Sequence, residues 1–258
     1  MHRRGSDASS AQGAHHGVGP AEPASLTRRR VAVLQSNYIP WKGYFDIIHD
    51  VDFFVFYDDV QYTKNDWRNR NRIKTANGVQ WLTVPTGSDI DRRICDVVLP
   101  AERWAQKHWK TLQQAYSHTP HFPRYESFLR NVYLERHWES LSQLNQYLIT
   151  AIAHEHLHIA AQFADSREFQ AQGSKFDRLA DLLTKVGAGV YVSGPSARGY
   201  IEPSKLSEMG IDLVYKSYDG YPEYPQPFPP FEHAVSVLDL LFNVGPDAPF
   251  YIWGWREQ

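Results

Sequence analysis

The chain has a single cysteine, Cys95, in 258 residues. That excludes an intramolecular disulfide framework and any cysteine-cluster metal centre, and it suits a reducing cytoplasm. Net charge is scarce as well: 27 Lys and Arg against 29 Asp and Glu leave −2 at pH 7. Without a global basic field, general DNA binding is not expected, although a local basic run from Arg68 to Lys74 stays open. No apolar run approaches the roughly 20 residues needed to span a membrane. The amino terminus lacks the charged-then-apolar order of an export signal, and Arg3-Arg4 has no apolar stretch behind it. Also missing are a Gly-rich dinucleotide fingerprint, a P-loop and a G-x-S-x-G nucleophile elbow.

Aromatic residues are plentiful, with 8 Trp, 15 Tyr and 13 Phe. Such content belongs to a packed globular chain rather than a disordered one. Residues 1–29 are the exception. Rich in Ala, Gly, Ser, Pro and His, they read as a disordered extension. The remainder, 30–258, reads as one domain.

Within it, apolar periodicity alternates between strand and helix. VAVL near residue 31 reads as a strand, Trp41 to His49 as a helix with Pro40 in its first turn, and Asp52 to Tyr57 as a second strand. This βαβ unit favours right-handed parallel pairing. Further strands are expected over 78–85, 94–99, 190–193 and 211–215. Helices are expected over 175–186, 203–209 and 234–242. A block from about 101 to 160 has several amphipathic stripes and reads as a helical insertion. Five prolines in YPEYPQPFPP, 221–230, exclude helix and central strand there. The fold expected is α/β, with a mostly parallel Rossmann-like sheet and a helical insertion.

The densest polar stretch, YDDVQYTKNDWRNRNRIK (57–74), comes directly after a buried strand. In open α/β sheets, binding sites form at the carboxyl ends of strands. Asp58 and Asp59 are therefore candidate catalytic carboxylates. Adjacent strand residues point to opposite faces, so only one of them is expected to enter a pocket. Gln61, Lys64, Trp67, Arg68, Arg70 and Asn71 are candidate substrate ligands, since the Arg fork suits carboxylate or phosphate and Asn reads amides. If this stretch is helical, Trp67, Arg70 and Asn71 share a face; if extended, Arg68, Arg70 and Arg72 do. The first strand-to-helix loop adds Gln35, Asn37, Tyr38 and Trp41. Ser193 closes the 190–193 strand, and Tyr221 and Tyr224 stand in the proline-rich segment expected to roof the site.

Other patterns compete. The first loop has the form of a nucleotidyltransferase loop, with Lys42 able to meet a phosphate, but the paired histidines of those enzymes are absent. His154-Glu155-His156-Leu157-His158 matches H-E-x-x-H formally, in a locally His-rich segment without a third ligand, so a solvated helix end is the preferred reading and no metal is assigned. His233, Ser236 and Asp239 hold the residue types of a hydrolase triad, yet Ser236 and Asp239 fit helix capping better, which leaves His233 as a third catalytic candidate lining the site. Cys95, inside an apolar run, reads as an inert buried thiol.

Taken together, QSNYIPWKGYFDII, YDDVQYTKNDWRNRNRIK, QWLTVP, YVSGPSARGYI, YDGYPEYPQ and FEHAVSVLDLLFNVGP resemble the signature blocks of the WbqC-like family, in matching order over about residues 31–247. Ser36 departs from the family pattern, where Pro is commoner. The resemblance implies a setting in bacterial surface polysaccharide (O-antigen) or natural-product biosynthesis and a role in glycine-type or other aminoacyl transfer. It supplies no catalytic residues and no cofactor. The expected activity is a cytoplasmic acyl or aminoacyl transferase, using a small-molecule donor and a sugar or amine acceptor, with partner biosynthetic enzymes as candidate associates. A nucleotidyltransferase-like enzyme and a non-catalytic sugar- or protein-binding module are the alternatives.

Overall fold

The computed structural model describes residues 28–101 and 103–257. Most of the segment expected to be disordered, 1–27, lies outside the described residues. Five strands form a parallel sheet in the order β5-β2-β1-β6-β7. They are β1 (Arg30–Leu34), β2 (Phe53–Phe56), β5 (Gln162–Asp165), β6 (Val190–Ser193) and β7 (Asp212–Tyr215). From β1 the chain builds outward to β2 and β5, then returns to the other side of β1 with β6 and β7. The reversal falls between β1 and β6, which pair through Arg30–Val190 and Val31–Tyr191. The α/β fold with a parallel sheet is as expected.

Both faces of the sheet are covered, which is why its strands read as continuous apolar runs. Val31, Val33 and Val55 face helices α5 (Lys175–Lys185) and α6 (Pro203–Glu208). Their neighbours Ala32, Phe54 and Phe56 face the larger layer. That layer contains α1 (Lys42–His49), α2 (Arg103–Tyr116), α3 (Phe122–Arg130), α4 (Leu141–Ala151), α7 (Val237–Val244) and α8 (Ala248–Ile252). None of the described helices is long and apolar enough to cross a membrane.

Several local expectations change. The 94–99 run is not a strand but a short 3₁₀ turn, Ile94–Asp96. Its backbone is claimed elsewhere: Cys95 N–H donates to the Asp58 carbonyl, and Leu99 N–H to the Glu139 carbonyl. Cys95 is consequently half-buried rather than a core thiol. The 78–85 run does form a strand, β4 (Gly78–Thr83), but it stands outside the main sheet. It pairs antiparallel with β3 (Arg70–Thr75). Of the two forms weighed for the polar stretch, the extended one holds from Arg70 onward, with Asn71 and Ile73 buried. Strand β5 follows the helical block without sequence warning, being only four residues long. Helix α7 starts at Val237, where Ser236 caps it by accepting from Leu238 N–H at 3.2 Å.

The H-E-x-x-H match does not form a ligand pair. After α4 the chain widens into a π-helical turn over Ile152–His156. His158 sits beyond it with φ +55°, and His154 Nε2 is satisfied by the Ala161 carbonyl at 2.9 Å. Among the described residues no group of three or more His, Cys, Asp or Glu is placed to hold a metal.

Candidate functional site

The sheet's turning point between β1 and β6 opens a cleft of about 870 Å³ at the strands' carboxyl ends, where a doubly wound fold places its ligands. Gln35 enters from β1, Asp59 and Gln61 from β2, and Tyr200 from the segment after β6. Arg68 reaches in from the polar stretch. Its Nη1 donates to Asp66 at 2.7 Å, and its buried Nε has no partner. Across from it, α5 contributes Lys175 and Arg178. Arg178 is ion-paired with Asp59 and also donates to the Asp59 carbonyl at 3.1 Å. Ser174, at the α5 N-cap, makes no side-chain bond to the helix. Three cations against two carboxylates, Asp59 and Asp66, with a helix start lacking a side-chain cap beside them, make a cleft suited to an anionic group.

A second pocket of about 310 Å³ opens on the other side of the same loops. Asn37, Pro40, Trp41, Trp67, Asn71 and Ala234 line it. Trp41 is held edge-on by Tyr218 and Tyr221, at ring distances of 5.2 and 5.9 Å. It also folds over Gly43, where any Cβ would collide with the indole. Asn37 presents a buried carboxamide oxygen with no partner. Next to Ala234, His233 is half-buried and packs edge-on against Phe231. Its Nδ1 is unpartnered. Burial, and then the positive charge of Lys42, lower its pKa, so the imidazole is neutral near pH 7.

The two strand-end loops face each other. Tyr38 N–H donates to the Trp67 carbonyl at 2.9 Å, and the Asn71 carboxamide donates to the carbonyls of Tyr38 and Ile39 at 3.2 and 2.9 Å. These bonds place the cationic cleft and the Trp-lined slot on either side of one tied loop pair.

Five sequence candidates are buried and line neither opening. Asp58, two residues past the end of β2, is fully buried and points toward α4, whereas Asp59 meets Arg178 of α5. It accepts from Ser36 N–H at 2.8 Å, from the Ser142 hydroxyl, and from Gln146 at 3.1 Å. Tyr38 is buried, with its hydroxyl 2.8 Å from His108 Nδ1 and 2.6 Å from the Tyr133 hydroxyl. Tyr221 donates to Asp46, and Tyr224 donates to Asp239 at 2.7 Å. The proline-rich segment therefore buttresses Trp41 from behind. Ser193 is buried at the end of β6. Asn71 lines the slot, but its carboxamide is spent on backbone partners.

Lys64 is exposed in the turn before Trp67 and lines neither opening. Arg70 turns outward and stacks over Trp81 at 4.2 Å. Lys42 is buried, not phosphate-facing. Its ammonium lies 4.8 Å over the Tyr221 ring and 3.4 Å from the Pro222 carbonyl, and burial lowers its pKa to about 8. The triad does not assemble. Ser236 caps α7, and Asp239 is buried among the hydroxyls of Tyr116 and Tyr224. Sequence reading missed Lys175, Arg178 and Tyr200. Each lies more than 100 residues from the polar stretch it faces, and only the parallel crossover brings it there.

No solved structure matches the chain at a significant level. A curated relative from Mycobacterium tuberculosis, named uncharacterized protein Rv1507c, is 46% identical over 231 residues, covering 89% of this chain and all of the relative. The model of the WbqC-like protein family matches residues 35–251, which include both loops, the slot and most of the cleft. The chain therefore belongs to the WbqC-like protein family.

Proposed function

We propose that this protein is an acyl or aminoacyl transferase of bacterial surface-polysaccharide or natural-product biosynthesis, working in the reducing cytoplasm. One observation supports this above the others: a cationic cleft and a Trp-lined slot share the tied loop pair 35–41 and 66–72. A binding module needs one ligand site, whereas group transfer needs a donor site and an acceptor site, and here neighbouring residues of each loop, Gln35 and Asn37, Arg68 and Trp67, line the two. Arg68, Lys175 and Arg178 suit the anionic portion of a donor. Trp41 and Trp67 suit the C–H face of a sugar, and Asn37 suits its hydroxyl or amine.

In this reading the acceptor's hydroxyl or amine attacks the donor carbonyl. The new C–O or C–N bond forms, the bond to the donor's leaving group breaks, and the acceptor proton passes by way of the neutral His233 imidazole to that leaving group. Gln35 and Arg68 stabilise charge at the donor, and Asp59 holds Arg178 in place. Most of the acceleration would come from positioning two bound reactants.

Thermal-shift titration of the full chain tests the reading. Anionic thioester or phosphate donors and small amino sugars should each raise Tm. Arg68→Ala should abolish only the donor effect and Trp67→Ala only the sugar effect. Competition between the two ligand types, or binding of neither, would overturn it. A second reading, activation of a substrate by a nucleoside triphosphate, is favoured by the start of α5, without a side-chain cap, in the cleft. It predicts a magnesium-dependent shift with ATP or CTP that Lys175→Ala removes.

A further inference from the structure

We propose that the outer face of the β3–β4 hairpin is an extended binding surface for an acidic oligosaccharide, continuing outward from the Trp-lined slot. The proposal rests on that slot being the acceptor site.

Antiparallel register sets Arg72 opposite Trp81 and Arg70 opposite Thr83, so alternate side chains of both strands share one face. On it, the Arg70 guanidinium lies 4.2 Å over the Trp81 ring. The Arg72 guanidinium lies 5.8 Å from Trp81 and 6.0 Å from Trp67. The two indoles are 5.6 Å apart. Trp67 is 43% exposed and Trp81 42% exposed. Large exposed tryptophans interleaved with arginines cost hydration and mark a contact surface. Because Trp67 also lines the slot, the ladder and the slot are continuous.

The charge on this face is not neutralised from within. Among the described residues Arg70 makes no salt bridge, and Arg72 has only Glu232, at 3.9 Å. The Nε atoms of both are buried without a partner. Ligand carboxylates would meet two preorganised forks, and sugar rings would meet indole surface between them. A continuous polyphosphate fits less well. The chain is net negative, Lys74 is buried, and Asp66 and Glu232 border the ladder. Sparse carboxylates on a glycan match two arginines with acids at either side.

Calorimetric titration of the full chain with oligogalacturonates, from monosaccharide to hexasaccharide, is the test, with maltohexaose and a single-stranded oligonucleotide as comparators. Affinity should rise by about tenfold or more from monosaccharide to tetrasaccharide, the scale of one or two stacking and ion-pair contacts. Trp81→Ala and Arg70→Gln should each remove that gain while leaving monosaccharide binding and Tm unchanged. Flat length dependence, equal binding of maltohexaose, or preferred binding of the oligonucleotide would overturn the proposal. If monosaccharide and donor still bind while length has no effect, the ladder alone fails. If no sugar binds and Trp67→Ala changes nothing, the acceptor assignment fails with it.

Discussion

The Tyr38 amide donates to the Trp67 carbonyl at 2.9 Å, joining two loops that lie 29 residues apart in the chain and bound both openings. Asn71 reinforces the join with two further bonds to Tyr38 and Ile39. Neither Tyr38 nor Asn71 need touch a ligand to matter, because the separation of cleft from slot depends on this join.

Asp58→Asn is expected to act through folding. The carboxylate accepts three internal donors, and an Asn would turn an NH₂ toward at least one of them. A loss of about 1–3 kcal/mol is expected for a disturbed buried polar group. Urea denaturation checks it, and any activity lost should track the unfolded fraction.

Gly43→Ala should change the slot without touching a polar group. A Cβ there meets the Trp41 indole, which must swing away or push α1 outward. Overpacking of this kind costs about 1–3 kcal/mol. Sugar affinity should fall while binding of the anionic donor persists, and paired titrations distinguish the two.

His108 should make the fold acid-sensitive. Burial lowers its pKa from 6.5 to about 4, with Nδ1 accepting from the Tyr38 hydroxyl and Nε2–H donating to the Thr83 carbonyl at 3.1 Å. Between those pH values the unfolded chain binds a proton that the folded chain does not. Stability should therefore decline as pH falls from about 6.5 toward 4. His108→Gln should start less stable at pH 7 and show a shallower decline, read from urea midpoints across that range.

Lys42 should give a dependence of the same sign in an alkaline window. Its pKa falls from 10.5 to about 8 through burial, partly offset by Asp239 and Asp46. The cost of a buried charge is fully present below pH 8 and is relieved as pH rises toward 10.5, so stability gains over that interval. Lys42→Met should raise Tm at pH 7 and flatten the gain; an unchanged alkaline slope would count against this account.

The α/β class was legible because strands buried on both faces leave uninterrupted runs such as VAVL and FFVF, and helices leave 3.6-residue stripes. The polar stretch after β2 was legible as a candidate site by its composition. Its division of labour was not. Asp58 and Asp59 look equivalent in sequence, and only the layer each faces decides that one is locked beneath α4 while the other meets Arg178 at the cleft. The 94–99 run misled because its apolar residues fill the core from a turn, and burial alone does not distinguish a turn from a strand.

By itself the sequence determined the periodicities, and with them the parallel sheet, the helical layer and the two loops that must lie at the strands' carboxyl ends. The tertiary structure alone decided which side chains stand free at those ends. Arg178, Lys175 and Tyr200 reach the cleft because the crossover returns β6 to the far side of β1. Tyr38, Tyr221 and Tyr224 are withdrawn because each found a buried hydrogen-bond partner. Such long-range pairings depend on which helix packs over which strand, and no local pattern in the chain records them.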